Sequence, residues 1–189
     1  MFLFCDTETG GLAYDHHGDL DATQHALLEI AAIKTGPAPD YEPYAEFQTF
    51  IKPPKGLLIS KEALNHTGFD LFNCLSAPKE PEAIKLFQEF IGDDELIFAG
   101  YNCPFDLAFL AAVYERTGLF CQYKMPWFCV YRLAKKILRK AKDQGEIPNH
   151  KLGTVSQYLE VELGKEAHNA LPDIRATVSC ARKLKEMEN

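Results

Sequence analysis

Short apolar runs between polar turns fill the first half of the chain, and amphipathic helical stretches fill most of the second. Phe2-Leu3-Phe4-Cys5 reads as a first strand, over residues 2–6. Residues 14–23 are polar and read as a surface loop, with His16 and His17 solvated; residues 26–34 return as a second strand. Residues 44–51 alternate Tyr44, Glu46, Gln48 and Phe50 with Ala45, Phe47, Thr49 and Ile51, the period-two pattern of a third strand. Pro53-Pro54 ends it. Ser60 is placed to cap a short helix. Residues 82–91 set Ile84, Phe87, Phe90 and Ile91 at helical spacing. A fourth strand is expected over 96–100, a helix over 105–117 ending at Gly118, and a short fifth strand over 127–130. Residues 131–142 predict one basic helix, and residues 152–159 and 172–188 the last two. Three early strands on short loops favour antiparallel pairing, whereas strands alternating with helices favour parallel additions. The expectation is an α/β fold, a mixed five-stranded sheet flanked by helices.

Composition narrows the class. At 189 residues the chain fits one domain spanning 1–189 with a full core. No apolar run approaches the length of a membrane span. The apolar start meets Asp6 at once, unlike a signal peptide, so a cytoplasmic protein without a membrane partner is expected. The six cysteines, Cys5, Cys74, Cys103, Cys121, Cys129 and Cys180, contain no C-x-x-C pair and read as buried reduced thiols rather than zinc ligands or disulfides. A net charge of −7 weighs against an independent tight binder of phosphate backbones. It agrees better with an acidic metal site and an enzyme held on its substrate by a partner.

Three acidic segments carry the candidate chemistry. Asp6 and Glu8 stand two apart at a strand end, so they project to one face just before Gly10-Gly11 turns the chain. Adjacent carboxylates raise each other's pKa unless a cation lies between them, and oxygen-only ligands suit Mg²⁺ or Mn²⁺. Asp106 follows Pro104 into the first turn of a helix, where the dipole favours a carboxylate. Pro172 and Asp173 open the last helix, with His168 in its lead-in. Taken singly, each segment is as well explained by a polar strand end or by helix capping. Arg132, Lys136 and Lys140, flanked by Lys135 and Arg139, form a basic helical face that is either solvated or a phosphate track.

Together, Asp6-Thr7-Glu8, Asn102-Cys103-Pro104-Phe105-Asp106 and His168-Asn169-Ala170-Leu171-Pro172-Asp173 resemble the D-x-E, N-x-x-F-D and H-x-A-x-x-D motifs of the DEDDh (DnaQ-like) 3′–5′ exonucleases. The motifs occur in the family's order and span almost the whole chain. Lys151-Leu152 and Leu159 resemble the branch of the DNA polymerase III proofreading (epsilon) subunit. The resemblance implies an RNase H-like fold and a two-metal-ion phosphodiester hydrolase using Mg²⁺ or Mn²⁺. It implies that Asp6, Glu8, Asp106 and Asp173 hold the metals and that His168 is the general base. It places Thr9, Leu12, Asn102 and Phe105 at the 3′-terminal nucleotide. The implied substrate is a single-stranded or frayed DNA 3′ end, cleaved to nucleoside monophosphates, with a DNA polymerase subunit as a candidate partner. An oligoribonuclease-like RNA-trimming enzyme and a non-catalytic nucleic-acid-binding adaptor are the alternatives. The chain departs from the family at Gly10, where many relatives carry Thr, and at Cys129-Val130, where an Asp-Thr pair is common.

Overall fold

A computed structural model describes residues 1–66, 71–164 and 169–188. Strands β1 (Phe2–Thr9), β2 (Leu27–Thr35), β3 (Pro43–Phe50), β4 (Ile97–Gly100) and β5 (Lys124–Cys129) form one sheet in the order β3-β2-β1-β4-β5. The β1–β2 and β2–β3 pairs are antiparallel, and the β1–β4 and β4–β5 pairs are parallel. The connections account for the difference. Loops join the first three strands, whereas helices α1 (Lys61–His66), α2 (Leu71–Ser76) and α3 (Glu80–Ile91) precede β4, and α4 (Cys103–Thr117) precedes β5. Helices α5 (Val130–Ile137), α6 (Arg139–Asp143), α7 (Leu152–Tyr158) and α8 (Ala170–Glu186) follow. This is the mixed, helix-flanked sheet that the pattern predicts.

Alternation along β1 decides which core each residue enters. Leu3 and Cys5 pack with Ile84, Phe87, Phe109 and Val113 on the α3–α4 side. Phe4 packs with Leu133, Val155, Ile174 and Leu184 on the α5–α7–α8 side. The same period carries Asp6 and Glu8 toward α8 and Thr7 toward α4. Every residue of β2 is buried because helices cover both faces of the sheet there.

Several elements differ from the sequence expectation. The basic stretch is two helices, α5 and α6, broken at Leu138 (φ −93°, ψ 17°). Leu138 N still donates to Ala134 O at 2.8 Å, so the chain bends without losing its ladder and keeps Leu138 and Ala141 in the core. Helix α8 starts at Ala170, capped by Asn169, whose side chain accepts from Leu171 N at 3.3 Å. Pro172 thus lies inside the first turn, where its missing N–H has no intrahelical acceptor to lose. Strand β5 begins earlier than residue 127, at Lys124; its first three side chains are exposed, so no apolar run announces them. Helix α2 buries Cys74 against Ala26 and Leu28 and was not anticipated. All six cysteines are buried. Among the described residues no helix is long and apolar enough to cross a membrane.

Candidate active site

Asp6 and Glu8 from β1 meet Asp173 from the first turn of α8, with one oxygen of each carboxylate within 4.8 Å of the others. Asp106 approaches from the opposite face, because α4 packs where Thr7 points. Thr7 Oγ1 donates to Asp106 Oδ1 at 2.8 Å, and Asp106 is 2% exposed. The four acids thus split into a cluster of three and a fourth anchored beside it.

Electrostatics joins the two groups. Burial raises the Asp6 carboxyl well above the carboxylate range, and Asp106, Glu8 and Asp173 push it further. Glu8 is raised to about 8, first by burial and then by Glu29, Asp173 and Asp106. Burial lifts Asp106 to about 7 against the hydrogen bond from Thr7. A cation held among these acids would offset their repulsion and favour their ionised forms. The donor set is all oxygen, partly buried and convergent, which fits a hard divalent ion such as Mg²⁺ or Mn²⁺.

Two glycines let the chain leave β1 at this point. A Cβ at Gly10 would lie 2.4 Å from Leu58 O and 3.3 Å from Ala26 N. The backbone of this chain therefore leaves no room for the threonine that many relatives carry there. Gly11 has φ +141°, and a Cβ on it would lie 2.8 Å from the ring of the buried His25. His25 Nδ1 in turn lies 3.1 Å from Gly10 O and fixes the turn.

Beyond the turn, Leu12, Tyr14, Leu20, Asn102, Pro104, Phe105 and Ala108 line an apolar groove of about 410 Å³. Three of the four residues expected at the 3′-terminal nucleotide, Leu12, Asn102 and Phe105, meet here. Leu12 is 54% exposed, and Phe105 is half-buried with its ring 5.0 Å from that of Phe109. The Thr9 side chain is not among them: it is buried, and its Oγ1 donates to Gly11 O at 3.3 Å. Any contact at this position would come from backbone. Tyr14 and Leu20, apolar residues in an otherwise polar loop and paired in a β-bridge, were overlooked in the sequence. His168 lies outside the described residues.

A further acid, Glu29, was also overlooked. It stands opposite Glu8 in the β1–β2 register and is 1% exposed. Its Oε1 accepts from Gln48 Nε2 at 2.6 Å, and its Oε2 accepts from Ala170 N at 3.4 Å. Gln48 Nε2 also donates to Asn169 Oδ1 at 3.1 Å. Burial raises Glu29, and the hydrogen bonds from Gln48 and Ala170 oppose the rise. The network ties β2 and β3 to the start of α8, the segment that carries Asp173. A glutamate inside the apolar run Leu27-Leu28-Glu29-Ile30-Ala31 was the available signal. Glu29→Ala strands the Ala170 and Gln48 donors. Near pH 6, where Glu8 is largely protonated and its repulsion small, the melting temperature is expected to fall by on the order of 5 °C. An unchanged melt would show that the network holds nothing in place.

Comparison with known proteins bears on this geometry. The sequence profile of the RNase T exonuclease family matches residues 3–180. The chain belongs to this exonuclease family. The family falls within the DnaQ-like DEDDh superfamily, so the chain is a nuclease-family hydrolase domain. Its fold matches exonuclease I, with a TM-score of 0.79 at 20% identity over 98% of this chain and 40% of that one. E. coli exonuclease I in complex with a dA16 oligonucleotide superposes with a TM-score of 0.76 at 20% identity, again over 98% and 40% of the two chains. A 3′-exonuclease solved in recognition of the histone mRNA stem-loop matches with a TM-score of 0.71 at 14% identity, over 97% of this exonuclease chain and 81% of its own. This exonuclease chain therefore spans about 40% of the length of exonuclease I. These likenesses establish the RNase H-like exonuclease fold. No curated protein matches in sequence.

Proposed function

We propose that the chain is a metal-dependent 3′–5′ exonuclease domain that hydrolyses the terminal phosphodiester of DNA and releases nucleoside monophosphates. The observation that carries this reading is the convergence of Asp6, Glu8 and Asp173 from two separate elements, next to the turn that leads into an apolar groove. In this reading Asp6, Glu8 and Asp173 would hold one Mg²⁺ or Mn²⁺, and Asp6 with Asp106 would hold a second. Bound divalent ions would polarise the scissile phosphate and lower the pKa of the attacking water. The protein's own residues do the rest. Thr7 fixes the orientation of Asp106. Leu12 and Phe105 take the terminal base and sugar, Asn102 closes the groove, and the backbone at Thr9 meets the 3′-OH. His168 accepts the proton of the attacking water, a task that suits an imidazole titrating near neutrality. The terminal phosphate must be drawn down among the carboxylates, which favours single-stranded or frayed ends over paired ones.

A proofreading role beside a polymerase subunit rests on Lys151-Leu152 and Leu159. A second reading, RNA trimming, is favoured by the match to the RNA-recognising 3′-exonuclease, whose own length this chain covers far more fully than that of exonuclease I. Matched 3′-labelled DNA and RNA oligonucleotides, incubated with Mn²⁺ or Mg²⁺ and with excess chelator, test both readings. We expect release of mononucleotides from single-stranded DNA, slower release from a matched duplex, and none with chelator. His168→Ala is expected to flatten the rising limb of the pH–rate profile. Preferential release from RNA would move the assignment to the second reading, and undiminished cleavage in chelator would end the metal-dependent one.

A further inference from the structure

Helix α5 carries a second feature, on the side away from the core. Val130, Leu133 and Ala134 are buried, whereas Arg132, Lys135 and Lys136 face solvent. Residues 130–143 contain Arg132, Lys135, Lys136, Arg139, Lys140 and Lys142 against Asp143 alone, in a chain of net charge −7. The positive charge is concentrated, and it is not uniformly neutralised. Lys136 pairs with Glu188 at 2.6 Å, and Arg139 lies 3.8 Å from Asp143. Arg132 and Lys135 are held differently. The Arg132 guanidinium lies 4.3 Å from the centre of the half-buried Trp127 ring, and Lys135 Nζ lies 5.5 Å from that of Tyr131. Among the described residues neither cation has a carboxylate within ion-pair distance.

The placement gives this pair of cation–aromatic contacts a use. Strands β4 and β5 run parallel, with Gly100 opposite Cys129. Tyr131 N donates to Tyr101 O at 2.9 Å, and Cys129 Sγ donates to the same oxygen at 3.3 Å. The first turn of α5 is therefore bonded to the turn that carries Asn102, a wall of the apolar groove. We propose that Arg132 and Lys135, supported on Trp127 and Tyr131, bind the phosphate backbone of the single strand 5′ of the nucleotide being removed. The inference rests on the exonuclease reading. A guanidinium pinned against an indole loses little further freedom when it meets a phosphate, and a planar cation–aromatic pair also offers a face on which a base stacks. A shallow, sequence-tolerant grip of this kind suits an acidic protein that must pass its substrate forward one residue at a time.

The test compares wild type with Arg132→Ala/Lys135→Ala. A control, Lys55→Ala/Lys85→Ala, removes the same charge from exposed lysines elsewhere. Two substrates are used, a dinucleotide and a single strand of about twelve residues, over a range of salt concentrations. For the longer strand, KM is expected to rise about ten-fold in the α5 variant with kcat unchanged, and the salt slope of log(kcat/KM) should become shallower by about 1.4, some 0.7 for each phosphate no longer engaged. The dinucleotide, whose single phosphodiester is the scissile one, should be cleaved equally by all three proteins. Arg132→Lys/Lys135→Arg should restore most of the affinity. Fluorescence anisotropy of the longer strand in chelator reads the same surface without turnover. If no protein cleaves any substrate but the α5 variant alone loses binding, the exonuclease reading fails and the surface stands. If KM, salt slope and anisotropy match those of the control, the surface is an ordinary solvated face.

Discussion

Asp6→Ala is expected to lower the rate of 3′-end hydrolysis by at least about three orders of magnitude while the fold persists. The cause is electrostatic. In the proposed site Asp6 would help to hold both metals, so its loss would weaken the binding of charges that act chiefly on the transition state. A loss of that size amounts to about 4 kcal/mol, within the range of removing one group from a cooperating set. The folded state, by contrast, gains. Burial and four neighbouring acids raise the Asp6 carboxyl, so its ionised form opposes folding in the absence of metal. The variant should melt no lower than wild type in chelator, yet fail to release mononucleotides at any Mn²⁺ concentration. Activity within ten-fold of wild type would remove Asp6 from the mechanism. Inactivity accompanied by a large drop in melting temperature would make it structural.

The metal-free protein is expected to lose stability as pH rises from about 5 to about 8, and divalent metal should restore it. The sign follows from which state holds its protons more tightly. Glu8, raised to about 8, and Asp106, raised to about 7, bind protons more tightly folded than unfolded. Their protonated forms contribute fully below the ordinary carboxylate pKa of about 4, and that contribution is lost as pH climbs through the folded values. Each tenfold gain in proton affinity on folding corresponds to about 1.4 kcal/mol, so the melting temperature in chelator should fall on the order of 10 °C across this window. Mn²⁺ binds the folded cluster and not the scattered acids of the unfolded chain. It should raise the melting temperature with the logarithm of its concentration, with a larger effect at pH 8 than at pH 6, where protons compete for the same oxygens. Asp173 adds to the charge that raises Asp6, Glu8 and Glu29. Asp173→Asn should therefore be at least as stable as wild type without metal and respond less to Mn²⁺. A pH-independent melt in chelator, or an equal metal response in both proteins, would contradict a shared carboxylate cluster.

The split between what was legible in the sequence and what was not follows the range of the forces involved. Strand period, turn residues and short acidic motifs act over a few neighbours, so the sheet's five strands, the D-x-E pair on one face of β1 and the acids at two helix starts could be read from the chain alone. The resemblance to the DEDDh exonucleases rested on such local motifs, and the family match agrees with it. Local signals failed where a long-range partner sets the outcome. Lys124 joins β5 because Ile97 offers a ladder partner, although nothing apolar marks it. The basic stretch bends at Leu138 because Leu138 and Ala141 must reach the same core. Only the packed structure places Glu29 against the start of α8, since Glu29 and Ala170 lie 141 positions apart. It alone assigns Asp106 to the Thr7 side of the sheet and sets Arg132 on Trp127. The sequence determined which groups are the candidates for the chemistry, because their identity and their local faces are properties of short segments. The tertiary structure decided which of them share a site and how strongly they perturb one another, because burial and through-space charge depend on chain segments that meet only after folding.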